Sequence, residues 1–151
     1  MDVAAFFQSI KGQPWYRDQI AHLEMLPPRE AVVQSLPDFL HPSLAASLRS
    51  LGIQHLYSHQ AEAISLLRDG KDTVVATPAA SGKSLCYHIP VIQAVLEDSS
   101  CRALYLYPTK ALAQDQYRSL GSLVPAQSRI RYGVYDGDTP PEERVALRRS
   151  C

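Results

Sequence analysis

The sequence predicts an α/β chain in which helices flank a partial parallel sheet and a helical extension comes first. Two observations carry this. Short β-branched apolar runs alternate with helix-period segments over residues 73–151, which is the strand, helix, strand order of a parallel sheet. Before them, Pro14, Pro27, Pro28, Pro37 and Pro42 cut residues 1–55 into short pieces.

In chain order, helical patterns cover Val3 to Ile10 and Tyr16 to Leu26, and Glu30 to Leu40 reads as an extended connector. Pro42 suits the first turn of a helix whose Leu44, Leu48 and Leu51 share one face and whose stop is Gly52. Ser58 is placed to cap a second helix, with Ala61, Ile64 and Leu67 on one side and Gly70 past its end. Thr73 to Thr77 is then a strand-like run, followed by a loop of small residues and a helix from Lys83 to Glu97. Arg102 to Tyr107 reads as a second strand and Thr109 to Leu120 as a helix. Ile130 to Tyr135 is a third strand, which Arg129 and Arg131 mark as less buried. Thr139-Pro140-Pro141-Glu142 has the form of a capping box with proline in the first turn of a last helix. The extension and connector thus take residues 1–52, and the α/β part takes 53–151.

Composition limits the partners. With 46% apolar residues, the 151-residue chain can bury one core. Fifteen basic and fifteen acidic side chains cancel, so any polyanion site must be local. Residues 76–151 hold nine Lys+Arg against seven Asp+Glu, the reverse of six against eight in residues 1–75. Cys86, Cys101 and Cys151 are too far apart for a zinc site and odd in number for a disulfide framework. Asp2 stands where a secretion signal carries a base, and no apolar run approaches the about 20 residues of a bilayer span. A cytoplasmic protein without membrane contact is expected.

The chemistry concentrates in Thr77-Pro78-Ala79-Ala80-Ser81-Gly82-Lys83-Ser84, which fits the phosphate-loop pattern G-x-x-x-x-G-K-[ST] with Thr77 in place of the first glycine. A loop that wraps a polyphosphate with backbone N–H groups needs small residues at closest approach, and Ala79, Ala80, Ser81 and Gly82 supply them. Lys83 would neutralise the β- and γ-phosphates of ATP, and Ser84 would ligate Mg²⁺. The amides from Ser81 to Lys83 would form the cradle. Against the bland reading, a loop that merely starts a helix, stands its position between a strand and a helix.

Gln60 precedes Lys83 by 23 residues, in Leu56-Tyr57-Ser58-His59-Gln60. Its amide presents a donor and an acceptor side by side, the complement of adenine N7 and N6, and Tyr57 is placed to stack on the base. An exposed helix residue and a packed tyrosine are the plain alternatives. His55 and His59 are four apart, but a helix begins between them, so no metal pair is expected. Pro108, Thr109 and Lys110 lie at a strand-to-helix junction on the sheet edge where ligands of open α/β sheets bind. Thr109 is either a helix cap alone or, with Lys110, part of a helix N-terminus that holds a nucleic-acid phosphate. Tyr105 and Tyr107 read as packed under helices, and Arg144, Arg148 and Arg149 as a solvated face.

Tyr-Ser-His-Gln-Ala-Glu-Ala-Ile, Ala-Thr-Pro-Ala-Ala-Ser-Gly-Lys-Ser, Leu-Tyr-Pro-Thr-Lys-Ala-Leu-Ala-Gln-Asp-Gln and Tyr-Asp-Gly-Asp-Thr-Pro occur in this order. Together they resemble the start of a superfamily 2 DEAD/DEAH-box-type ATP-dependent DNA helicase, in the mitomycin repair factor A (YprA) and RecQ-like group, over residues 28–151. The resemblance implies a RecA-like P-loop NTPase fold. It assigns Gln60 to an adenine motif, Thr77 to Ser84 to motif I and Pro108 to Gln116 to motif Ia, and it favours DNA over RNA as partner. Thr77 and Ala79 depart mildly from the family pattern.

Helicases of this kind hold Mg²⁺ and activate water with an Asp-Glu pair, and that dipeptide does not occur in the chain. Asp136 is followed by Gly137, a turn pair first of all. The expectation is an N-terminal portion that stops before motif II, lacks the second RecA-like domain and is inactive alone. Two readings from other classes stay open: a kinase-like P-loop enzyme, and a non-catalytic nucleic-acid- or protein-binding piece.

Overall fold

Helices account for most of the ordered backbone, because a helix closes its hydrogen bonds within one segment. The computed structural model describes residues 2–27 and 30–150; Met1, Pro28, Arg29 and Cys151, and with them both ends of the family resemblance, lie outside the described residues. Contacts divide the chain into Met1–Glu30 and Ala31–Cys151.

In the first unit, α1 (Val3–Lys11) starts where the Asp2 carboxylate accepts the Ala4 and Ala5 N–H groups, at 2.9 and 3.1 Å. The helix expected over 16–26 does not form. Asp18 takes a left-handed φ of 54°, and the Gln19 amide bonds the Trp15 carbonyl and the Arg17 N–H in place of a helical ladder. Trp15, Met25 and Leu26 are exposed, so no apolar face is packed to hold a helix there.

The second unit opens with β1 (Val33–Ser35), inside the expected connector. It pairs antiparallel with β2 (His55–Tyr57) in the register Val33 to Tyr57, Gln34 to Leu56, Ser35 to His55. α2 (Pro42–Ser50) lies between them, with Pro42 in its first turn and Gly52 just beyond its end at φ 79°. α3 (Ser58–Arg68) follows β2 directly, so Tyr57 is the cap and Ser58 the first helical residue. α4 (Lys83–Glu97) and α5 (Lys110–Leu123) complete the packed layer. Leu44, Leu48, Leu56, Ile64, Ile89, Ile92 and Leu123 fill one core. α2 shares this core, so the sequence boundary at 52/53 falls inside a packed body.

α6 (Pro141–Ser150) begins at the second proline, one residue later than the expected capping box places it, and Thr139 does not cap it. Thr139 is buried, and its hydroxyl instead donates to the Val134 carbonyl at 3.2 Å.

The three expected strands, 73–77, 102–107 and 130–135, are extended but unpaired: among the described residues no backbone hydrogen bond joins them, and the observed sheet is the β1–β2 pair. They keep a period of two. Tyr105, Ile130 and Tyr132 pack against the core, whereas Val74, Leu104 and Leu106 are 94%, 83% and 83% exposed. Between the 102–107 and 130–135 segments and the helices α4 and α5 lies a cavity of about 950 Å³. Among the described residues no helix is long and apolar enough to cross a membrane.

Candidate functional site

Pairing with β1 fixes Tyr57, and the Ser58 N–H donates to the Val32 carbonyl at 2.9 Å, so α3 must turn off at this point. Gln60, in the first turn of α3, is 2% exposed. Its Oε1 accepts the Tyr57 N–H at 2.9 Å, and its Nε2 donates to the Gly82 carbonyl at 2.9 Å. Both halves of the amide are therefore engaged with backbone in this structure. Beside it, His59 Nε2 donates to the Ser81 carbonyl at 3.0 Å, and its ring stacks on Tyr57 with centroids 5.8 Å apart and planes 10° apart. Tyr57 remains half exposed.

The loop from Thr77 to Ser84 is closed on itself. Ala80 and Gly82 adopt left-handed φ values of 59° and 73°. A Cβ on Gly82 would lie 2.5 Å from Gln60 Nε2, so both the backbone angle and the close approach call for glycine there. Thr77, the residue in place of the usual glycine, shares a hydrogen bond of 2.6 Å between its hydroxyl and that of Ser81. Lys83 folds back into the loop, donating to the Thr77 carbonyl at 2.9 Å, the Pro78 carbonyl at 2.5 Å and the Ser81 hydroxyl at 3.3 Å. Among the described residues no carboxylate pairs with it. Its charge thus meets only neutral oxygens, and Ser84 follows half-buried in the first turn of α4.

Pro108, Thr109 and Lys110 lie at the start of α5, from which Lys110 reaches the 136–139 turn. Thr109 is the cap of α5, its hydroxyl accepting the Leu112 N–H at 3.2 Å. Lys110 Nζ lies 2.5 Å from Asp138 Oδ2, an exposed ion pair that raises the ammonium pKa through that hydrogen bond. Asp136 makes the turn: its Oδ1 accepts the Asp138 N–H at 2.8 Å and the Thr139 N–H at 3.2 Å. Arg144, expected on a solvated face, instead donates to the Asp136, Gly137 and Thr139 carbonyls.

Sequence reasoning missed the contacts of His59, Asp138 and Arg144 because each reaches a partner in another element. No group of three or more His, Cys, Asp or Glu side chains placed to hold a metal ion occurs among the described residues. Cys86 is buried, which pushes its thiol pKa up.

A layer of helices beside a two-stranded sheet, with a glycine-containing loop held by the preceding helix, is what fold and site define. Residues 57–151 match the DEAD/DEAH box helicase family, and the chain belongs to it. It is 40% identical over 134 residues to the ATP-dependent helicase YprA of Bacillus subtilis, covering 88% of this chain and 18% of that protein. Identity to the ATP-dependent helicase HRQ1 of Saccharomyces cerevisiae is 35%, over 99% of this chain and 14% of that protein. The structure is similar to the DUF1998 helicase MrfA bound to DNA and AMPPNP, with a TM-score of 0.84, 37% identity, and coverage of 97% of this chain and 20% of that one. The chain therefore spans about a fifth or less of the length of these relatives.

Proposed function

We propose that the chain binds ATP through the loop from Thr77 to Ser84 and contributes the opening part of a RecA-like motor domain in a DNA helicase. The observation that carries this is Lys83, a cation in the mouth of a left-handed loop, held by neutral oxygens with no carboxylate partner. Small side chains and the Gly82 backbone fit a polyphosphate, whose oxygens would replace the Thr77 and Pro78 carbonyls around Nζ. Lys83 and Ser84 act at the phosphates, with Ser84 as the residue to hold Mg²⁺, which when bound neutralises polyphosphate charge. Pro78, Ala79, Ala80, Ser81 and Gly82 line the cradle. Tyr57 and Gln60 serve the adenine, Gln60 exchanging the Gly82 carbonyl for the base.

In the same reading, 73–77, 102–107 and 130–135 are strands of the RecA-like sheet. Supporting this, side-chain exposure alternates along each of them, and the cavity beside the last two is lined by Leu104 and Tyr132 from those segments and Ile92 from α4. Pro108, Thr109 and Lys110 contact DNA phosphate, which competes with Asp138 for Lys110. Coupling of ATP hydrolysis to translocation belongs to the whole helicase and is proposed for it, not for residues 1–151 alone.

Titration of the chain with labelled ATP and Mg²⁺ tests the site. Lys83→Ala should weaken binding by about tenfold or more, since a charge-assisted contact is lost. Equal binding by both proteins would remove the phosphate-loop reading.

A further inference from the structure

We propose that His59 is a positioning residue for the phosphate loop, orienting the peptide groups whose N–H atoms meet a phosphate. This rests on the nucleotide reading above. No peptide bond among the described residues is cis, and in a trans peptide the N–H and C=O point to opposite sides. His59 Nε2 donates to the Ser81 carbonyl at 3.0 Å, which turns the Gly82 N–H away from α3. Gln60 does the same one peptide later, holding the Gly82 carbonyl at 2.9 Å and turning the Lys83 N–H away. Gly82 is left-handed and Lys83 begins a helix, the backbone sequence in which successive N–H groups converge into an anion-binding nest.

Because a carbonyl can only accept, the imidazole carries its proton on Nε2. The stack on Tyr57 holds the ring in the orientation this bond needs. When Gln60 turns to a base, His59 is the bond from α3 to the loop that stays. His59 thereby joins the base side of the site to its phosphate side, a role distinct from touching the nucleotide.

Two substitutions separate the donor from the ring. His59→Phe keeps an aromatic ring beside Tyr57 and removes the donor; His59→Gln keeps a donor and removes the ring. The full chain is titrated with AMP and with ATP, both with Mg²⁺, and Lys83→Ala serves as reference. In His59→Phe, ATP binding should weaken about fivefold, the scale of one hydrogen bond, while AMP binding is unchanged. His59→Gln should bind ATP as the parent does. Equal losses for AMP and ATP, or no loss with phenylalanine, would overturn the positioning role.

A Lys83→Ala protein that binds ATP as well as the parent would instead overturn the nucleotide reading. The pinning itself is measured without nucleotide. The ¹³C shift of the Ser81 carbonyl, read through the Gly82 amide, should move in His59→Phe and return toward the parent value in His59→Gln. A shift that stays in place in His59→Phe would sink the proposal whatever the nucleotide does.

Discussion

The extended segments of the second unit are richer in apolar residues than its helices, yet they end in the more open environment. α2 to α5 bury Leu44, Leu48, Ile89 and Ile92 completely, whereas Val74, Leu104 and Leu106 stand in the open. The difference is where each backbone finds its partners. A helix pairs its N–H and C=O groups within itself and needs a neighbour only for its apolar face. A strand needs neighbours for both. The segments 73–77, 102–107 and 130–135 have found cover for one face and no hydrogen-bonding partner among the described residues.

Paired truncations measure that contrast most directly. Ile89→Ala should lower the unfolding free energy by about 3 kcal/mol, as a cavity opens in the core. Leu104→Ala, at a position 83% exposed, should change it by less than about 0.5 kcal/mol. Urea denaturation followed by circular dichroism gives both values. Equal losses would mean that the extended segments are covered in solution.

A smaller effect is expected at the seam between the two regions. His88 on α4 is 1% exposed, with its ring edge-to-face on Tyr87 and Tyr105 and its Nδ1 3.4 Å from the Tyr105 hydroxyl. Burial holds its pKa below the ordinary histidine value, opposed in part by the nearby Gln116 side chain, which can accept from the charged ring. The folded state thus disfavours the imidazolium, and the unfolded chain takes up the proton first. This contribution to stability is complete above about pH 6.5 and is lost as pH falls toward the lower folded value. The urea midpoint should drop between about pH 7.5 and about pH 5.5, and the drop should shrink in His88→Gln. A midpoint independent of pH over that range would show that His88 is solvated and the seam open.

Legibility in the sequence follows the same division. α4, expected from about Lys83 to Glu97, spans those residues, because the small-residue loop that opens it is a local feature. The Tyr16 to Leu26 helix was misread because its apolar spacing carries no information on whether a surface covers it, and Asp18 breaks it with a left-handed backbone. β1 and β2 were missed as a pair, since their register joins Val33 to Tyr57 across an intervening helix. In the site, the loop from Thr77 to Ser84 stands out as a motif. The hold of His59 on Ser81 does not, because it spans 22 residues and depends on how α3 is aimed.

The turn at 136–139 is a third case, a loop that keeps its form through side chains, its own and those that Lys110 and Arg144 extend from α5 and α6. Asp136 anchors it, and the Asp138 N–H, then the Thr139 hydroxyl and the Lys110 charge, lower its carboxyl pKa. A carboxylate whose folded pKa is depressed stabilises the fold fully above about pH 4, and the contribution is lost as pH falls through the folded value. Solvent reaches this group, so the effect on global stability is the smallest of the three, and a site-resolved measurement is the one to make. In a ¹³C titration the Asp136 carboxyl should turn over at lower pH than the aspartate of an unstructured peptide, about pH 3.9. Turnover in the ordinary range would mean that the turn is open in solution. Lys110 would then be free of Asp138 and its charge fully available to a phosphate, which reverses the competition assigned to that pair.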